Sequence, residues 1–171
     1  MLDLICNSGP QLSLNAAMIT LLRREFTVSL SLKQAWQYLA RVEEWPSWAK
    51  HIKQVKVRPS GELGAQSTGI IHLSNGMKST FTMTEFAPYR HWKWVGRFVC
   101  LTVHYDHIFE ELDPQRTKLI WIVSAEGFGA PVFGKLFAKI YNWNLRRAIP
   151  ELVKEMNASK SKGDSARSGH A

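Results

Sequence analysis

The stretch "LKQAWQYLARVEEWPSWAKHIKQVKV", residues 32–57, changes its periodicity twice within a short span. Leu32, Ala35, Trp36 and Leu39 recur at helical spacing behind Ser31, whose hydroxyl suits the free N–H groups of a first turn. Pro46 cannot continue that helix, so residues 43–51 read as a second short helix set at an angle to the first. From Ile52 the pattern alternates as a strand does. The result is a V-shaped element leading into a strand. Trp45 and Trp48 stand on its corner, three apart, with both rings on one side of a turn. Two readings follow: the rings are core packed against a sheet edge, or they cap an internal hollow. A cap must also be packed, so the two overlap.

Working outward, "MITLLRREFTVSL" (18–30) reads as a first strand, with Arg23 and Glu25 set among Leu22 and Phe26. After the V-shaped element the alternating pattern continues through "IKQVKVRPSGELG" (52–64) and "STGIIHLSNGMKSTFTMTEF" (67–86). The second is a hairpin turning at Asn75-Gly76. "RHWKWVGRF" (90–98), "CLTVHYDHIFEEL" (100–112) and "TKLIWIVSAEGF" (117–128) follow. Short loops join neighbouring antiparallel strands. From Ala130 to about Asn157 the period becomes helical, with Phe133, Leu136, Phe137, Ile140, Tyr141, Leu145, Ala148, Leu152 and Met156 marking an apolar side. Such a helix is about 40 Å long. Gly127 and Gly129 precede it, Pro131 suits its first turn, and Pro150 lies inside it. The expected fold is α+β: a seven-stranded antiparallel sheet curled around a long C-terminal helix, with two short helices between strands 1 and 2. Where sheet and helix part, an apolar hollow remains.

At 171 residues the chain is sized for one domain with a real core. Residues 1–17 read as a flexible extension, Met18 as a candidate native start, 18–157 as the folded domain, and 158–171 as a disordered basic tail. Asp3, Asn7, Ser8 and Pro10 spoil any secretory signal, and no apolar run reaches the roughly 18 residues a membrane span needs. Cys6 and Cys100 suggest neither a bridge nor a metal site, which points to a reducing cytoplasm. The net charge of +8, from 22 Lys+Arg against 14 Asp+Glu, is spread along the chain. It implies solubility and weak association with acidic surfaces rather than a specific nucleic-acid groove. In "YRHWKWVGR" the charges and the rings fall on opposite strand faces, unlike a stacking platform.

Three motifs match a known pattern: the V-shaped stretch with its Trp-Pro-x-Trp segment, "TMTEFAPYRHWKWVG" (82–96), and "HIFEELDPQRTKLIWIVSAEGFG" (107–129). With the long terminal helix, they resemble the START-like, helix-grip superfamily and, within it, the polyketide cyclase/dehydrase and lipid-transport branch. The resemblance covers roughly residues 20–157. It implies that the V-shaped element closes one end of the hollow.

Alternation chooses the lining. Leu101, Val103, Tyr105, His107 and Phe109 share the more apolar face, leaving His104 and Asp106 outside. His104 and His107 then point apart, so "HYDH" makes no metal site. Phe81, Met83, Trp92 and Trp94 point inward, and Phe137, Ile140, Tyr141 and Asn144 face them from the helix. Counting back from the "DPQR" turn sets His107 opposite Ile122, Tyr105 opposite Ser124 and Glu126 near Val103. The expected ligand residues are therefore Trp45, Trp48, Phe81, Met83, Trp92, Trp94, Tyr105, His107, Phe109, Ile122, Phe137, Tyr141 and Asn144. His107 and Tyr105 either satisfy their own hydrogen bonds or move protons for a substrate. Asn144 either binds backbone or touches a ligand. No cofactor is called for. The partner expected is a hydrophobic small molecule, bound or carried; the alternatives are a cyclase, aromatase or dehydratase using the same hollow, and a co-chaperone or interaction module.

Overall fold

The computed structural model describes residues 18–98, 101–127 and 130–168. The segment with Cys6, and likewise Cys100, Gly129 and residues 169–171, lie outside these. Strand β1 (Ile19–Val28) leads to helix α1 (Leu32–Ala40) and a 3-10 helix (Val42–Ser47). Six strands follow: β2 (Ile52–Arg58), β3 (Thr68–Leu73), β4 (Lys78–Ala87), β5 (His91–Phe98), β6 (Leu101–Asp113) and β7 (Arg116–Glu126). Helix α2 (Ala130–Ser168) is the last described element. All seven strands form one antiparallel sheet in the order β1-β7-β6-β5-β4-β3-β2.

Local chemistry fixes each boundary. Ser31 caps α1 through a reciprocal box: its hydroxyl accepts from the Gln34 N–H at 3.4 Å, while its own N–H donates to Gln34 Oε1 at 3.1 Å. The second arm of the V is a 3-10 helix ending at Ser47, shorter than the helix expected over 43–51, because Pro46 removes a donor from its interior. Helix α2 runs through Ala158 and on to Ser168, where a disordered tail was expected; this segment holds no proline and one weak breaker, Gly163.

The β6–β7 hairpin corrects the register read from sequence. A bulge between Glu111 and Asp113 moves the pairing by one residue, so His107 faces Trp121, Tyr105 faces Val123 and Phe109 faces Leu119. Because side chains alternate, this slip reverses every facing on β7. Ile122 pairs with Asp106 on the outer face, not with His107 on the inner one. Glu126 pairs with Thr102 and lies 3.2 Å from His104 on that same outer face. Trp121 takes the inner position and is buried.

A second bulge, between Met83 and Glu85, keeps Phe81, Met83 and Phe86 all on the inner face despite their uneven spacing. Two glycines flank Phe81 across the sheet, Gly69 on β3 and Gly96 on β5. The Phe81 ring lies over Gly69: a Cβ there would stand 2.4 Å from the Lys56 carbonyl and 2.5 Å from the ring. These gaps in the side-chain layer let the sheet coil inward.

Helix α2 is tied down at two points. Near its start Gly134 packs on Leu21 of β1, and Asn142 accepts a hydrogen bond from Arg24. Further along, Glu155 Oε2 accepts from Tyr38 Oη of α1 at 2.9 Å and from Ser47 Oγ at 2.8 Å. The apolar side read from sequence divides into two stripes. Phe137, Leu145, Ala148, Leu152 and Met156 are buried, whereas Phe133, Leu136 and Ile140 are about half exposed (50–58%), as is Trp143 (54%). No helix among the described residues is long and apolar enough to cross a membrane.

Gly69→Ala is expected to cost about 1–3 kcal/mol in urea unfolding through this collision. Gly64→Ala, where the added Cβ meets nothing within 4 Å, should stay within about 0.5 kcal/mol.

Candidate functional site

Between the V-shaped element, the inner face of β2–β6 and the middle of α2 lies a cavity of about 960 Å³. Trp45, Trp48, Ile52, Ile71, Leu73, Phe81, Trp94, Phe137 and Tyr141 supply most of its wall. Tyr105, Asn144, Ser79 and Thr80 are the polar groups set among them. Lys50, His51, Asn75, Met77, Trp143, Arg146 and Arg147 stand where the cavity opens.

The wall is one end of a continuous tryptophan chain. Trp36 of α1 meets Trp92 edge-on at 4.9 Å; Trp92 stacks beside Trp94, its neighbour on the inner face of β5, at 6.4 Å. Trp94 meets Trp45 at 5.5 Å, Trp45 meets Trp48 at 5.4 Å, and Trp48 meets Trp121 at 6.1 Å. Each such contact is worth about 1 kcal/mol beyond the burial of the rings. Trp45 also donates from Nε1 to the Leu39 carbonyl at 3.0 Å, which pins the corner of the V. Both readings of the corner pair hold: Trp45 and Trp48 are buried, and both line the cavity.

Of the residues selected from sequence, the structure brings Trp45, Trp48, Phe81, Trp94, Tyr105, Phe137, Tyr141 and Asn144 together around the cavity. Met83, Trp92, His107 and Phe109 are on the inner face but buried behind it, and Ile122 is on the opposite face. Sequence reasoning missed Ile52, Ile71, Leu73 and Ser79, which alternation on β2–β4 offered, and the cluster at the mouth. The mouth was signalled only by the pair Arg146-Arg147 on an otherwise apolar stretch.

Three groups have their acidity set by this environment. Tyr105 and Tyr141 meet at 5.7 Å, and Phe137 stacks on Tyr141 at 5.5 Å. Burial pushes both phenols well above their ordinary value, so both stay protonated and can donate to a guest. His107 is enclosed by Trp45, Trp92, Trp94 and Trp121, with ring centroids 4.9–5.9 Å away. Its Nδ1, like Nε1 of Trp92 and Trp121, has no hydrogen-bond partner among the described residues. Trp45 and Trp94, which it touches, line the cavity, and His107 is not among the lining residues. Burial drives its pKa down to about 3, so the imidazole is neutral at pH 7.

The folded state excludes a proton that the unfolded chain takes up near pH 6.5, so stability is complete above that value and falls as the pH drops toward 3. At pH 5 the loss from His107 alone is about 2 kcal/mol. Thermal melts from pH 8 to 4 should show this acid-side decline, and His107→Gln should flatten it; an unchanged slope would mean that His107 titrates normally.

The residue range 20–157 matches the family described as polyketide cyclase / dehydrase and lipid transport. Among solved structures, a START superfamily protein from Mycobacterium smegmatis superposes with a TM-score of 0.64 at 16% identity, covering 82% of this chain and 97% of the other. The Zhui aromatase/cyclase from Streptomyces sp. R1128 gives 0.60 at 15% identity, covering 85% and 95%. A hypothetical protein from Helicobacter pylori gives 0.64 at 17%, covering 82% and 88%. These likenesses are ones of fold. No curated protein matches the sequence. The curled sheet, the gripped helix and the family match over residues 20–157 lead to one conclusion: this chain belongs to the polyketide cyclase / dehydrase and lipid transport family.

Proposed function

We propose that the protein binds and carries a hydrophobic small molecule, a lipid, quinone, polyketide or other aromatic compound, in the cavity under α2. The observation that carries this reading is the wall itself: about 960 Å³ of space bounded by rings and aliphatic side chains, with phenol and amide groups as isolated handles. That volume is at the upper end of the range for small-molecule sites, roughly 300–1,000 Å³. Removing about 200 Å² of apolar ligand surface from water is worth on the order of 5 kcal/mol before ordering costs. Retention then needs no reactive group, and Tyr105, Tyr141 and Asn144 orient the guest by hydrogen bonds.

Organic extraction of the purified protein, read by mass spectrometry beside its native mass spectrum, should recover a bound apolar compound. Ser79→Phe, which sets a ring into the cavity from β4, should abolish that adduct and lower affinity for an environment-sensitive apolar dye more than tenfold. A wild-type protein that is empty and indifferent to such dyes defeats the proposal.

The paired phenols favour a second reading, in which the same cavity folds a reactive chain and Tyr105 donates a proton during cyclisation or dehydration. His107 takes no direct part in this version, since it is buried and not among the lining residues. Tyr105→Phe removes one hydroxyl and nothing else. Loss of turnover with binding retained, measured on an aromatic polyketide analogue, supports the enzyme; equal behaviour of both proteins supports the carrier.

A further inference from the structure

The mouth of the cavity has a charge character that its interior lacks. Lys50, Arg146 and Arg147 are exposed there, and among the described lining residues Glu151 is the one carboxylate. His51 adds no charge at neutral pH, because burial lowers its pKa below the ordinary value. Among the described residues neither arginine forms an ion pair with a carboxylate, although elsewhere on the surface Arg23, Arg41 and Arg116 each do.

Two of the three cations are also held in place. The Arg147 guanidinium lies 3.6 Å over the Trp143 ring, an arrangement that fixes its plane and leaves its edge donors outward. Lys50 Nζ donates to the carbonyls of Pro46 and Ser47, which restrains it beside the corner of the V and leaves one donor unused. Lys50 comes from the turn before β2 and the arginines from α2, so the cations come from two separate elements around one opening.

Resting on the proposed ligand-binding role, we infer that the guest is a long-chain organic anion, its apolar part among the rings and its carboxylate or phosphate monoester head held at the mouth by Arg146, Arg147 and Lys50. A neutral lipid would leave these cations unmatched, whereas an anionic head completes a charge-assisted, forked set of hydrogen bonds. The hydrophobic wall then supplies most of the affinity, and the mouth supplies selectivity and orientation. A head at the mouth also sets which part of the chain lies beside Tyr105 and Tyr141.

The test is displacement of an apolar dye from the full chain by three ligands of one chain length: an alkyl carboxylate, an alkyl phosphate and the alkyl alcohol. At low salt the anions should bind about tenfold tighter than the alcohol, and the difference should shrink in 0.5 M salt, roughly. The double variant Arg146→Gln, Arg147→Gln should remove most of the anions' advantage over the alcohol, leaving only the share due to Lys50, and Arg146→Lys, Arg147→Lys should keep more of it. Both positions are exposed, and circular dichroism verifies the fold. Which anion binds tighter identifies the head. Equal binding of alcohol and anions by the wild type overturns the inference while leaving the hydrophobic site intact. If none displaces the dye, or the dye itself does not bind, the ligand-binding role fails and the inference with it.

Discussion

A straight helix cannot follow a sheet that twists away beneath it. Helix α2 approaches β1 most closely, and β6 and β7 less so, and from there the sheet turns through β5, β4 and β3 to β2. Glu155 prevents the gap from closing by collapse. By accepting from both Tyr38 and Ser47, it locks α2 to the two arms of the V, so the helix bridges the hollow rather than sinking into it. Gly69 and Gly96 contribute from the other side by letting the strands around Phe81 coil. The cavity is thus what remains when a helix fixed at two points meets a curling sheet.

The aromatic residues reconcile this empty space with a stable fold. A domain with a hollow centre gives up packing there and must recover it close by. Here the recovery lies in the layer directly behind the wall, where Trp36, Phe86, Trp92 and Phe109 interlock around the end of α1. His107 belongs to this layer. It fills a space between indoles as a neutral, flat side chain, and the same enclosure that makes it a poor proton carrier makes the fold sensitive to acid.

Much of this was legible in the sequence, for definable reasons. Trp92 and Trp94, two apart between His91, Lys93 and Val95, could only share a face of a strand, and they do. Ser31 before a helical period announced its cap, and the change of period at Ala130 announced α2. The failures arose where one residue decides a whole strand. The bulge near Leu112 reversed β7, which put Ile122 outside and hid the role of Trp121, and nothing in "ELDPQRT" distinguishes that turn from a regular one. The depth of the wall was not readable either. Alternation selects the inner face, but whether an inner residue borders space, as Trp94 does, or lies behind it, as Trp92 does, depends on where α2 crosses, a relation between distant parts of the chain.

Six of the seven tryptophans touch in a single row from α1 to β7. Indoles at such separations exchange absorbed energy faster than they emit it, so the row behaves optically as one antenna. A guest against Trp45, Trp48 or Trp94 perturbs the emission of the whole set rather than of one ring. The seventh, Trp143, is half exposed beneath a guanidinium at the entrance. The protein's own ultraviolet glow therefore reports the arrival of a guest without any added label.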